Sequence, residues 1–159
     1  MLKINKTVTG TEPISLAEAK AYNRVLFNAE DSTIQMLITE ARETLEQATN
    51  LSIVAKTIEL VNDNYRNSFR MPYGPVQSLT ECQLDGVDIS DSVSDNGKIA
   101  YIGRGVLTAE YEAGGVAYEG LRVAMLELVA FLFMNRGTSN EYPVTVKRWI
   151  MNNSLNFFV

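Results

Sequence analysis

Between Leu121 and Met134 the chain runs for fourteen residues in which only Arg122 and Glu127 are charged; the others are Leu, Val, Ala, Met and Phe. Gly120 precedes this stretch and Asn135-Arg136-Gly137 follows it, a helix terminus with a basic last turn and a glycine beyond it. A helix apolar on nearly every side has to be covered on nearly every side. At this length it cannot span a bilayer, which takes about 20 apolar residues, so no membrane partner is expected. It reads as a central core helix. Either the rest of a small chain wraps it, or identical neighbours complete its burial.

Two more helices are written upstream. Ser15-Leu16-Ala17-Glu18 is a capping box, with Ser15 as N-cap and Glu18 three residues on, and it predicts a helix to about Val25 that buries Leu16, Ala19 and Tyr22. After a polar break at 28–33, capped by Asp31 or Ser32, the residues Ile34, Leu37, Ile38, Ala41, Leu45 and Ala48 recur at helical spacing. Asn50 is a left-handed stop. One face of this helix meets a core, and the other is acidic.

The middle of the chain changes to strand patterning. Residues 53–61 are rich in β-branched side chains, and Phe69 to Val76 carries three breakers in a row of four, as in an edge strand or turn. Short strands at 79–84 and 87–89 flank Asp85-Gly86, a strong hairpin signal. Asp95-Asn96-Gly97 marks another turn, before strands at 98–102 and 106–111. A short helix is expected at 144–152. The predicted class is α+β: a small helical bundle of three main helices and a short C-terminal one, with a β-rich insertion between helices 2 and 3. In domain terms this is a single domain over 1–159, with a helical core at 13–50 and 120–152, the insertion at 53–116 and a tail at 153–159.

Charge sharpens this picture. The net charge is −5, which argues against non-specific adhesion to nucleic acid, since that requires basic clusters. Residues 30–50 carry −4 and residues 71–97 carry −5 with no Lys or Arg, whereas 121–159 carry +2. Such acidic faces are either solvated surface or the wall of a passage through which a polyanion slides without sticking. No apolar leader occurs in Met1–Gly10. The one cysteine, Cys82, fits a reducing compartment and falls in phase with Val76, Thr80 and Leu84 on an alternating strand, as a small buried hydrophobe.

Catalytic chemistry finds little to work with. Histidine is absent, which removes the commonest general base and metal ligand together. One cysteine cannot build a Cys/His zinc site. Gly103-Arg104-Gly105 lacks the Lys-Ser/Thr that a phosphate loop needs, and Val93 stands where a calcium loop from Asp91 to Gly97 needs a ligand. No catalytic residue, cofactor or metal is expected. The chain's end is different: Trp149, Leu155, Phe157, Phe158 and Val159 place large apolar groups where termini are usually polar. They either fold back onto the core or anchor the chain in a neighbour.

These features in their order resemble the head–tail connector (adaptor, or head-completion) proteins of tailed bacteriophages. The resemblance is carried by Glu12-Pro13-Ile14-Ser15-Leu16-Ala17-Glu18-Ala19-Lys20, the helix Ile34 to Leu51 and the strand Lys56-Thr57-Ile58-Glu59-Leu60. It continues through Met71-Pro72-Tyr73-Gly74-Pro75-Val76, Glu110-Tyr111-Glu112-Ala113-Gly114 and the helix Leu121 to Arg136. It covers most of residues 12–137 and departs at the tail, where the family often ends Pro-Tyr-Arg. The resemblance implies a non-enzymatic virion protein, made in the host cytoplasm, that forms a ring of twelve copies at the head–tail junction. Its partners would be other copies of itself, the portal protein, a tail-side stopper or tail-completion protein, and genomic DNA passing without sequence-specific contacts. On that reading Glu43, Glu46, Asp85, Asp88, Asp91 and Asp95 face the channel, and Trp149, Leu155, Phe157, Phe158 and Val159 dock a partner. Two other readings stay open: another ring-forming neck or tail-completion part, and a small enzyme built on a carboxylate pair.

Overall fold

The computed structural model describes residues 1–115, 117–135 and 141–154. They form two compact units. Of the described residues, one takes in Met1–Thr11 and 50–115, the other Glu12–Thr49, 117–135 and 141–154.

The first unit is built on an antiparallel sheet of five strands: β1 (Leu2–Val8), β2 (Lys56–Arg66), β4 (Val76–Leu84), β5 (Val87–Asp88) and β7 (Arg104–Ala113), in the order β1-β2-β7-β4-β5. A small two-stranded antiparallel pair, β3 (Phe69–Arg70) with β6 (Lys98–Ile99), forms a separate sheet. Side chains alternate across a strand, so Ile58 and Leu60 of β2 and Leu107, Ala109 and Tyr111 of β7 enter one core with Cys82 and Leu84 of β4. Met71, Ile89 and Ile99 complete that core. Its polar atoms are satisfied: Tyr111 Oη donates to Pro72 O at 2.6 Å and Tyr65 Oη to Tyr101 O at 2.8 Å. Burial pushes the Tyr111 phenol well above its ordinary range, and Tyr73 adds to the effect.

Bulges adjust which residues point inward. A register shift between Asn62 and Tyr65 lets Tyr65 follow Ile58 and Leu60 into the core. Two shifts in β4 put Leu79 rather than Thr80 in line with Val76 and Cys82. The strict alternation expected through Thr80 is therefore corrected, while Cys82 is fully buried and its thiol is pushed up to about 11 by burial, with Asp88 adding to it. The Asp85-Gly86 hairpin forms as the sequence indicates, with φ of 50° and 81°. The sequence reading passed over β1, which pairs along its whole length with β2.

The second unit is the helical bundle: α1 (Leu16–Asn23), α2 (Asp31–Thr49), α3 (Leu121–Asn135) and α4 (Val144–Asn153). The capping box is present on both sides: Glu18 N donates to Ser15 Oγ at 3.3 Å and Ser15 N to Glu18 Oε2 at 2.8 Å. Arg24, in the left-handed region at φ 57°, ends α1 just short of Val25. Asn50 is left-handed too, at φ 59°. Tyr22 is exposed, contrary to the expected stripe, because α1 turns only Ala19 fully inward. On α2 the buried arc takes in Ile34, Ile38, Ala41 and Leu45 but leans toward Arg42, Glu46 and Thr49, which leaves Ala48 exposed.

Candidate assembly surfaces

Trp149 sits on the inner side of α4 with Val146 and is 5% exposed. Its Nε1 donates to Glu119 O at 3.0 Å, and its ring meets Tyr118 edge-on with centroids 6.2 Å apart. A buried indole with its donor satisfied is a packing residue, so the expectation that Trp149 docks a partner is corrected. Leu155, Phe157, Phe158 and Val159 lie outside the described residues. The outward side of α4 carries Val144, Lys147, Arg148 and Met151, all exposed.

The six acids expected at a channel wall fall in different places. Glu46 is 2% exposed and paired with Arg42, Nη1 to Oε2 2.8 Å. Arg42 also meets Glu12 from Nε at 3.0 Å. Burial works against the Arg42 charge, but Glu12 and Glu46 outweigh it and hold the guanidinium above its ordinary value. The expectation that Glu46 faces a channel is thus corrected: an acid at helical spacing from arginine can be drawn inside as an ion pair. Glu43 stays exposed on the outer face of α2. Asp85, Asp88, Asp91 and Asp95 are exposed on the sheet unit. Two of them also fix local structure, since Val106 N donates to Asp85 Oδ1 and Ser90 N to Asp88 Oδ1, each at 2.9 Å. Hydrogen bonds from Ser90, side chain then backbone, hold the Asp88 carboxyl below its usual range.

A further acidic surface emerges only from strand register. Glu59 of β2 stands opposite Glu110 of β7, which stands opposite Glu81 of β4. Three like charges directly across neighbouring strands oppose sheet stability. Alternation marks Glu59 and Glu110 as outward, but their alignment with Glu81 depends on pairing between distant segments and on the β4 bulges.

Among the described residues the core helix α3 is incompletely covered. Leu121, Ala124, Met125, Leu128 and Val129 are buried, whereas Val123 is exposed, Leu126, Ala130 and Phe133 are half-buried, and Met134 is 80% exposed. A groove of about 310 Å³ runs between α2 and α3, lined by Glu30, Thr33, Leu37, Leu132 and Phe133. Leu26 and Phe27, between α1 and α2, also stand in solvent. A second depression, about 460 Å³, lies between the start of α3 and α4 and is lined by Gly120, Val123, Arg148 and Trp149 among others. Both depressions mix apolar and polar lining residues, without a converging set of reactive groups. Among the described residues no three His, Cys, Asp or Glu side chains come close enough together to hold a metal ion.

A model of the head completion protein family matches residues 12–144. The chain belongs to the head completion protein family. As a member it is a structural virion protein and not an enzyme. The family match begins just before α1 and ends at the start of α4, so β1 precedes it and nearly all of α4 follows it.

The fold is shared with chains from gene transfer agent (GTA) particles. One, from the neck of an empty GTA particle computed with C6 symmetry, aligns at a TM-score of 0.72 and 20% identity, over 97% of this chain and 95% of that one. Another, from the virion of a native gene transfer agent particle, gives 0.72 and 19% over the same shares. A third, from the neck of a native GTA particle computed with C12 symmetry, gives 0.57 and 15% over 95% and 96%. Comparison with curated proteins gave no match. At these identities the likeness speaks for the fold of this head completion protein.

Proposed function

We propose that this chain forms a closed ring of twelve copies at the head–tail junction of a phage-like particle. There it binds the portal on one side, extends the DNA channel and docks the tail-side completion protein on the other. The observation that carries the reading is the incompletely covered α3: its exposed Val123 and Met134 and its half-buried Leu126, Ala130 and Phe133 gain stability if a neighbour covers them, at about 25 cal/mol per Å². Membership of the head completion family supplies the setting, and chains of the same fold come from GTA necks computed with C6 and with C12 symmetry, both of which a dodecamer accommodates. Glu43 and the acids from Asp85 to Asp95 belong to the channel wall, where exposed negative charge keeps a passing polyanion from adhering. The tail residues Leu155, Phe157, Phe158 and Val159 dock a partner.

The test is in vitro joining. DNA-filled heads assembled without this chain are mixed with tails, with and without the purified protein. Joined particles that appear only with the protein support the reading. Heads that join equally well without it contradict the reading. Replacing Phe157 and Phe158 with Ala is expected to reduce joining while leaving the protein folded; unchanged joining removes the tail's docking role.

A further inference from the structure

We infer that neighbouring copies in the ring join head to tail, the outward side of α4 on one copy lying in the groove between α2 and α3 of the next. The inference rests on the ring reading and names the surfaces that close the ring.

Val144, Lys147, Arg148 and Met151 recur at i, i+3, i+4 and i+7, the spacing by which a helix presents one side to a groove. Val144 is 70% exposed and Met151 80%, two apolar side chains two turns apart that stand largely in solvent. Between them stand two cations, Lys147 lying 3.9 Å from Glu141 just ahead of the helix and Arg148 beside it, and α4 itself contains no carboxylate. The inner side of α4, Val146 and Trp149, is already committed to its own bundle, which leaves the outward side available to another molecule.

The groove offers the complement. Leu37, Leu132 and Phe133 are its apolar part and Glu30 its acidic rim. Glu30, immediately before α2, and residues 33, 37 and 40 of the helix form one line at helical spacing, so the exposed Glu40 extends the acidic rim past Leu37. Cations of α4 therefore face carboxylates of α2 while Val144 and Met151 meet the apolar part. Opposite charge at an interface sets register and partner choice. The two surfaces are different patches of one chain, so each copy supplies both. Such heterologous contacts propagate around an axis and close when the rotation closes.

The test uses cysteine pairs. Cys82 is fully buried and does not compete for reagent. Thr33→Cys and Met151→Cys are made singly and together, rings are collected, and a short bismaleimide is added before a denaturing gel. The double variant is expected to give a ladder of linked chains up to the full ring. Each single variant is expected to stay monomeric, and an equal mixture of the two singles to stop at dimers. Rings that form but remain unlinked in the double variant overturn the interface and leave the ring standing. A single variant that links to itself overturns it as well, since it reports a two-fold contact, and so does linkage to the portal chain. Wild-type protein that forms no ring on filled heads overturns the ring reading, and the interface with it, before any reagent is added.

Discussion

Arg42 Nη1 stands 2.8 Å from Glu46 Oε2 one helical turn away, with both side chains almost wholly buried inside the helical unit. Removing one partner from such a pair leaves a charge in a place where water cannot reach it. Arg42→Ala, which abandons both Glu12 and Glu46, is expected to cost about 3–5 kcal/mol. Glu43, next along the helix and exposed, is expected to change stability by less than about 0.5 kcal/mol on replacement by Ala. Urea unfolding of the two variants checks the contrast; equal losses would contradict the placement of Glu46.

Glu18 gives the helical unit an acid-sensitive element. Hydrogen bonds from the Ser15 backbone and side chain, assisted by Arg122, hold its carboxyl below the ordinary value near 4.5. With the folded pKa lower than the unfolded one, its contribution is complete above about pH 4.5 and is lost as pH falls through the folded value. Thermal unfolding from pH 7 to pH 3 should show Glu18→Gln less stable than wild type at neutrality and the difference shrinking on the acid side. A difference that grows toward pH 3 would contradict the sign.

Trp149 is the chain's single tryptophan, and it reports on its own burial. Its emission should be blue-shifted in the native protein and move to the red on unfolding. Trp149→Ala should destabilise by about 3–5 kcal/mol, the range for deleting a large buried aromatic. A stable variant that fails only in assembly would restore the docking role.

Two glycines with nearly equal positive φ separate steric crowding from backbone strain. Gly114, at φ 83°, has no room for a side chain: a Cβ there would stand 2.3 Å from Val54 O and 2.6 Å from Ser52 Cβ. Gly86, at φ 81°, has open space around it. Gly86→Ala should cost about 1 kcal/mol from strain alone, and Gly114→Ala roughly 2–4 kcal/mol because crowding adds to it. Denaturant midpoints measure both.

What the sequence disclosed was what is decided locally. The Ser15–Glu18 capping box, the left-handed Asn50 and the Asp85-Gly86 hairpin depend on a few adjacent residues, and each forms where expected. The apolar α3 was legible too, as was the question of what covers it. β1 was missed because edge strands carry little hydrophobic signal, and its inward pattern is broken by Lys6, whose Nζ lies 4.2 Å from the centre of the Tyr73 ring. Thr80 was placed in the core instead of Leu79 because bulges change phase without a mark in the sequence. Glu46 was assigned to a channel wall and Trp149 to a partner because charge argues for exposure and terminal aromatics for docking. In both cases one specific partner, Arg42 for the first and Glu119 O for the second, reversed the outcome.

The most direct measurement of the central claim is a cryo-electron microscopy reconstruction of the neck of the assembled particle, made without imposed symmetry. The account predicts twelve copies of this chain in one closed ring beneath the portal, with the open side of α3 covered by a neighbouring copy. A neck in which this chain is absent, or present as separate copies whose α3 remains exposed to solvent, would contradict it.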